Sequence, residues 1–270
     1  MKVLMVGDIV GAPGRRAFGR LVPTLREQAG IGFVVANAEN AAGGKGLTGA
    51  LAEELLAAGA DVLTLGDHAW DRKEAAAYLG TAERVIRPEN FAPGCPGRGI
   101  VTLETGWGPV TVLNLIGRVF MNRYDCPFRA ADAQLSARGG ARGIVLVDFH
   151  AEATSEKVVM GRHLDGRVSC VAGTHTHVQT ADETVLPGGT AYITDLGMTG
   201  PRGSALGRDL ASVTGMFLTG MPARFAVGRG PAVLEGAIIE VERRSGRAVA
   251  IERVRRPVEE ESPGGDGASS

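Results

Sequence analysis

The sequence predicts an α/β fold with mixed sheets in a single domain, and three observations predict it. Short, largely apolar runs recur and end in polar clusters, as strands buried on both faces do. Up to Leu79 these runs alternate with helical stretches, the pattern of parallel strands with helices outside the sheet. From Gly99 onward two hairpin patterns appear, and hairpins bring antiparallel pairs.

The first strand runs from Lys2 towards Asp8, and the helix over Arg15–Gln28 places Phe18, Leu21 and Leu25 on one stripe, with Pro23 marking a kink or break. Strands over Gly32–Asn40 and Asp61–His68 follow, separated by the Ala-rich helix Leu51–Ala58; a further helix spans Arg72–Leu79. Ile100–Glu104 and Val110–Leu115 flank Gly106-Trp107-Gly108 as a hairpin. Helix Phe128–Arg138, strand Gly143–His150, helix Ser155–Leu164 and strands Val168–His175 and Thr190–Asp195 come next. Val233–Glu242 and Ala248–Val254, joined across Ser245-Gly246, form the second hairpin. The domain is expected over residues 1–256. Residues 257–270 read as an acidic Gly/Ser-rich tail without fixed structure.

Composition narrows the classes. The chain has 270 residues, 22% of them charged, which suits a globular protein with a large core. No apolar run approaches the ~18 residues of a membrane span. Met1–Val10 carries a Lys and an Asp instead of a signal peptide's apolar core. Cys95, Cys126 and Cys170 form neither a CxxC pair nor an even framework, so reduced thiols and a cytoplasmic location are expected. The formal net charge is −1, and Glu259, Glu260, Glu261 and Asp266 near the end outweigh it, so the remainder is only slightly positive. That balance does not indicate a polyanion binder.

The polar residues carry more information. Asp8, Glu39, Asn40, Asp67, His68, His150, His175 and His177 all stand at or just after the C-terminal end of a predicted strand, the edge where open α/β sheets bind ligands. Singly, each has an ordinary reading: Asp8 can cap a helix, and a lone strand-end His is usually structural. Eight converging on one edge differ, because each uncompensated buried carboxylate costs roughly several kcal/mol and a cation removes that cost. His175 and His177, two apart in an extended segment, share a face. The donor mixture suits manganese, iron or zinc and not a thiolate site. Too many ligands are present for one four-coordinate ion, whereas two ions about 3.5–4 Å apart, sharing a carboxylate, use them all.

Other motifs fail. Gly11-Ala12-Pro13-Gly14 lacks the GxGxxG spacing, Gly43-Gly44-Lys45-Gly46 is not a P-loop, and both read as loops bordering the site. No Gly-x-Ser-x-Gly elbow is present. Ser155-Glu156-Lys157 reads as a helix start capped by Thr154 or Ser155 and not as a Ser–Lys dyad. Arg15, Arg87, Asn90, Arg118 and Arg202 lie near predicted strand ends; surface charge or turn roles outweigh phosphate contact for each.

Gly7-Asp8-Ile9-Val10-Gly11, Ala38-Glu39-Asn40, Gly66-Asp67-His68-Ala69-Trp70, the run from Asp148 to Lys157 and Gly173-Thr174-His175-Thr176-His177 together resemble the bacterial metallophosphoesterase family that includes the YmdB phosphodiesterases. The similarity extends from Met1 to about Val254. It implies a branch of the calcineurin-like phosphoesterases with a four-layer α/β/β/α sandwich, and a metal-dependent cyclic-nucleotide phosphodiesterase with 2′,3′-cyclic AMP as a characteristic substrate. By that resemblance Asp8, Glu39, Asn40 and His177 hold one ion, and Glu39, Asp67, His150 and His175 the other. His68 stays off the metals as general acid for the leaving group, while a metal-activated hydroxide attacks. The cofactors implied are two divalent or transition-metal ions, iron or manganese first and zinc third.

Two departures stand out. Val10 occupies the place of the His in the wider Asp-x-His motif, which Asn40 replaces as ligand, and Asp67 stands where many relatives have Asn. The extra negative charge of Asp67 is expected to tighten its ion and make the bridging water less acidic. The expected partner is a small-molecule phosphodiester, in the first instance a cyclic nucleotide, with RNA open as a substrate. No membrane partner is expected, and self-association into a homo-oligomer is. The alternatives are a phosphomonoesterase or nuclease with the same centre, or a metal-bound protein that regulates without turnover.

Overall fold

Alternate side chains of the first strand enter two different cores, and this divides the molecule into layers. The structure, a computed structural model, describes residues 1–139 and 143–259. In chain order its elements are β1 (Lys2–Val6), β2 (Asp8–Ile9), α1 (Gly11–Ala29), β3 (Ile31–Asn37), α2 (Gly49–Ala57), β4 (Val62–Thr64), α3 (Ala75–Thr81) and β5 (Val85–Ile86). There follow β6 (Ile100–Thr105), β7 (Gly108–Ile116), α4 (Pro127–Ala137), β8 (Ile144–His150), α5 (Thr154–His163), β9 (Cys170–Thr174), β10 (Thr184–Val185) and β11 (Ala191–Ile193). The described elements end with β12 (Met198–Pro201), α6 (Leu210–Thr219), β13 (Ala232–Val241) and β14 (Ala248–Pro257).

Leu4 and Val6 of β1 pack with Phe18 and Val22 of α1 and Leu55 of α2. Val3 and Met5 face the other way, against Val112, Leu146 and Ala172 of the second sheet. The outer face of that sheet sends Leu115, Val147 and Phe149 against Ala131 of α4 and Met160 of α5. The order is therefore helix, sheet, sheet, helix. Full burial of side chains of this kind contributes about 1.5–3 kcal/mol each, which explains why these strands read as unbroken apolar runs.

The first sheet has the order β2-β12-β13-β1-β3-β4-β5, with β14 beside β13; β1, β3, β4 and β5 pair in parallel and β13 pairs antiparallel to β1. The second runs β10-β11-β9-β8-β7-β6, parallel in the middle with antiparallel strands at both edges. Both sheets are mixed, as expected. The parallel strands of each sheet share one C-terminal edge, and the strand-end residues gather there.

Several local expectations need correction. Gly11 to Gly14 do not form a loop: they are the first turn of α1, which continues through Pro23 to Ala29. Neither Thr154 nor Ser155 caps α5; the cap is Ala153, without a side-chain hydrogen bond. Lys157 is instead buried against Asp195, Nζ to Oδ2 2.6 Å. Strands β5 and β12 are too short to show a period, and α6, although apolar, buries none of its residues. At the C-terminus β14 includes Pro257, and Val258 N–H donates to Ala232 O, so the sheet runs slightly past the expected boundary. Residues 260–270 of the expected tail lie outside the described residues.

Candidate metal centre

Each strand of the shared edge contributes its residue at the point where the ladder ends. After β1 the chain breaks at Gly7, where a Cβ would lie 2.2 Å from Gly197 O, and Asp8 turns inward fully buried. Glu39 and Asn40 follow β3, with Glu39 N–H held by Asn37 Oδ1 at 3.1 Å. Asp67 and His68 follow β4, and His150 closes β8. His175 and His177 lie beyond the end of β9. They are not extended, as the pleat reasoning assumed; both have positive φ, +102° and +64°, and their rings serve different parts of the cluster. Such φ values are costly for side-chain-bearing residues and persist where the surroundings enforce them.

Glu39, Asp67, His150 and His175 offer ligand atoms that all lie within 4.8 Å of one another. His150 Nε2 stands 3.2 Å from Glu39 Oε1, 3.1 Å from Asp67 Oδ1 and 3.0 Å from His175 Nδ1. A ring nitrogen has one proton or one lone pair, so it can satisfy only one of these neighbours. A cation with ligand bonds of about 2.0–2.2 Å sets neighbouring ligands roughly 3 Å apart and satisfies all of them. The second group adjoins the first. Asn40 Nδ2 is 3.4 Å from Asp8 Oδ1, 3.3 Å from Glu39 Oε1 and 3.3 Å from His177 Nε2, and a half-turn of the carboxamide presents Oδ1 instead. His177 Nε2 lies 3.6 Å from Asp8 Oδ1. Glu39 Oε1 thus stands between the two groups. Gly66 makes the approach possible: a Cβ there would lie 2.3 Å from His150 Nε2 and 2.5 Å from Glu39 Oε2.

Behind each ring an acceptor takes the other N–H. His177 Nδ1 is 3.0 Å from the Leu206 carbonyl, and His175 Nε2 is 3.1 Å from Glu152 Oε2. His150 Nδ1 is 2.9 Å from Thr174 Oγ1, whose own proton goes to Asp148 at 2.7 Å. Asp148 also accepts from Thr64 Oγ1 and Asn37 Nδ2. Every neutral ring therefore presents a lone pair to the cluster, the orientation that metal-ligating imidazoles require. His68 differs. Its Nδ1 is 3.1 Å from Asp71 Oδ2 and 3.6 Å from Asp67 Oδ2, and its backbone N–H donates to Glu39 Oε2 at 3.0 Å.

The electrostatics follow from this crowding. Burial opposes charge on His150, but the Glu39, Asp67 and Asp8 carboxylates outweigh it and raise its pKa well above the usual imidazole value. His177 is raised in the same way, chiefly by Asp8. Asp8 and Asp67 are held far below the ordinary carboxylate range despite burial, the first by His177 and His150, the second by His150 and His175. Burial pushes Asp148 up to about 6 against the hydrogen bonds of Thr64 and Thr174.

A cavity of about 520 Å³ opens over the cluster, floored by Glu39, Asn40, His68, His175 and His177. Leu206, Arg208, Phe217 and Phe225 form its walls. Among the polar candidates from the sequence, four serve structure. Arg15 binds Ala41 O, Arg87 binds carbonyls including those of Pro88 and Gly97, Asn90 pairs with Ile116, and Arg118 donates its backbone N–H to Glu156 while its exposed guanidinium reaches Cys126 Sγ. The sequence assigns no role to Asp71, Glu152, Thr174 or Arg208; only Glu152, inside the Asp148–Lys157 run, and Thr174, inside Gly173–His177, carry a signal.

The family profile described as YmdB-like protein matches residues 4–254. The chain belongs to the YmdB-like family. Its similarity to the Bacillus subtilis protein named 2′,3′-cyclic-nucleotide 2′-phosphodiesterase is 44% identity over 254 residues, 94% of this chain and 96% of that protein. A crystal structure of a hypothetical protein from Thermus thermophilus superposes with a TM-score of 0.89 at 44% identity, covering 95% of this chain and 99% of that one. A structure titled as a novel phosphatase from Mycoplasma pneumoniae gives a TM-score of 0.90 at 32% identity, covering 95% and 93%. The four-layer sandwich of this YmdB-like chain is thus a metallophosphoesterase fold.

Proposed function

We propose that this chain is a metal-dependent phosphoric diester hydrolase that opens 2′,3′-cyclic nucleotides. The carrying observation is that three imidazoles, each with its far N–H taken by an acceptor, aim lone pairs at carboxylates a ligand's distance away. The family and the name of the Bacillus relative support the substrate class. Asp8, Glu39, Asn40 and His177 would hold one ion and Glu39, Asp67, His150 and His175 the second, with iron, manganese or zinc suited to such oxygen and nitrogen donors. When bound, the ions supply positive charge to the phosphoryl oxygens and lower the pKa of water towards roughly 7.

The chain's own residues do the rest. Asp71 keeps the Nδ1 proton of His68, which leaves Nε2 of this cavity-lining ring free, when protonated, to donate to the departing ribose oxygen. A positioned acid of this kind contributes about 10²–10⁴-fold. Phe217 and Phe225 narrow the cavity against bulk water, and Arg208, which also holds Gly44 O, adds a cation to its wall. The free thiols of Cys95, Cys126 and Cys170 support a reducing, cytoplasmic setting. The exposed apolar side chains of α6, Leu218 among them, support a homo-oligomer.

The test combines elemental analysis of the purified protein with hydrolysis of 2′,3′-cyclic AMP, p-nitrophenyl phosphate and RNA before and after chelation. Two equivalents of metal and a chelator-sensitive preference for the cyclic diester are expected. A faster monoester rate would make it a phosphatase. Nucleotide binding without turnover in loaded protein would make it a sensor.

A further inference from the structure

A second groove, of about 710 Å³, joins the metal cavity: His177 and Leu206 line both. Its walls come from two distant parts of the chain, and each brings arginine. Arg202 follows β12, and Arg253, Arg255 and Arg256 lie at the end of β14. Antiparallel pairing puts that end of β14 at the metal-site edge, because its partner β13 runs against β1.

The acids do not balance the arginines. Arg253 pairs with Glu183 at 2.7 Å and Arg255 with Glu235 at 2.9 Å. Arg202 and Arg256 are exposed and have no acidic partner among the described residues. A cyclic mononucleotide has one phosphate, which belongs at the cluster, and it leaves two unspent guanidinium groups next door. A nucleotide chain carries further phosphates in series. A cationic groove that tracks the backbone is how single strands are held, and guanidinium is the group best matched to phosphate.

We propose that this groove binds the phosphates preceding a 2′,3′-cyclic terminus, so that the chain acts on the 3′ ends of oligoribonucleotides. The inference rests on the cyclic-diester reading above and extends it from a mononucleotide to an RNA end. The weak overall charge of the protein fits a short local footprint better than a general nucleic-acid surface.

The experiment measures binding of a short 5′-fluorescein oligoribonucleotide ending in a 3′-phosphate to metal-loaded, full-length protein, with a 3′-mononucleotide as competitor. The oligonucleotide is expected to bind at least about tenfold tighter, and more weakly as salt rises, since each phosphate neutralised on a single strand adds about 0.7 to the log–log slope. R202E/R256E should lower that slope by about 1.4, and R202Q/R256Q should shift it in the same direction while keeping the fold. Both variants should hydrolyse 2′,3′-cyclic AMP at the wild-type rate, because neither arginine lines the metal cavity. Equal affinity for oligonucleotide and mononucleotide, or an unchanged slope in the Gln variant, overturns the proposal. So does competition by an acidic peptide as effective as RNA. Arginine-dependent binding in a protein that turns over no cyclic phosphate supports the groove's ligand and overturns the hydrolase reading instead.

Discussion

His150 and His177 serve different halves of the cluster, and what stands behind each ring differs. Behind His150 lies a buried set of side chains: Thr174, Asp148, Asn37 and Thr64, drawn from four strands or strand ends and all fully buried. Behind His177 lies one backbone carbonyl, that of Leu206, in a surface loop where Leu206 has φ +52° and a half-exposed side chain. One half is braced by the core of the sandwich and the other by a loop that also walls both cavities. If each half holds an ion, as proposed, the two should therefore differ in affinity, and the His177 half should be the one that senses what occupies the cavity.

The largest expected effect is on the braced half. His150→Ala should leave Asp67 and Glu39 without their common partner, remove metal in elemental analysis and abolish turnover; retention of both ions with activity would break the comparison. Next comes His68→Ala, which should keep both metals and lose about 10²–10⁴-fold in kcat on substrates with poor leaving groups. An emptied site in that variant would move His68 into the ligand set.

Bracing itself is tested by Thr174→Val, which removes the acceptor from His150 Nδ1; metal affinity should fall about 10–100-fold at the His150 half and by less at the other. Its counterpart is Gly207→Ala. Gly207 has φ +86° and a Cβ there would lie 2.6 Å from Val10 Cγ1, so the loop and the Leu206 carbonyl must shift. Isothermal titration should then show the other site weakened. A loss shared equally by both sites in either variant would mean that the halves are one unit.

The smallest effect is on stability against pH. In metal-free protein the pKa values of His150 and His177 are raised above those of the unfolded chain, so their contribution is complete below about pH 6.5 and fades as pH climbs through the raised values. Asp148, raised from 3.8 to about 6, acts in the same direction at lower pH, and its effect is essentially complete before pH 6.5. Thermal unfolding of chelated protein should accordingly occur at lower temperature as pH rises from 6.5, whereas loaded protein should gain, because cations displace those protons.

The same contrast explains what could be read in advance. The eight polar side chains stood out because each ended an apolar run, and a run that stops at a carboxylate or imidazole is unusual in a buried strand. The four layers followed from the resemblance, and the mixed sheets from the change of pattern after Gly99. Asp148, two residues before His150, reads in the sequence as an orienting partner or a turn residue; Thr174 and Asp71 offer no such reading, for the opposite reason. Thr174 is an ordinary strand residue, Asp71 an ordinary turn residue, and each acquires its role only through a contact distant in sequence or through local folding. The segment carrying Leu206 and α6 departs from that rule: Leu210, Val213 and Phe217 recur at helical spacing, yet none of the α6 residues is buried. Likewise Lys157 looked like part of a helix start until Asp195 met it across the fold.

Glu39 Oε1 lies 3.2 Å from His150 Nε2 and 3.3 Å from Asn40 Nδ2, one atom at the border of both halves. If each ion takes it as a ligand, filling either half orders the oxygen for the other, and that help is reciprocal. Loading then becomes cooperative, and molecules carrying a single ion are scarce. A cell short of the metal would contain fewer working copies of the protein, each at full speed, instead of a uniform population slowed in proportion.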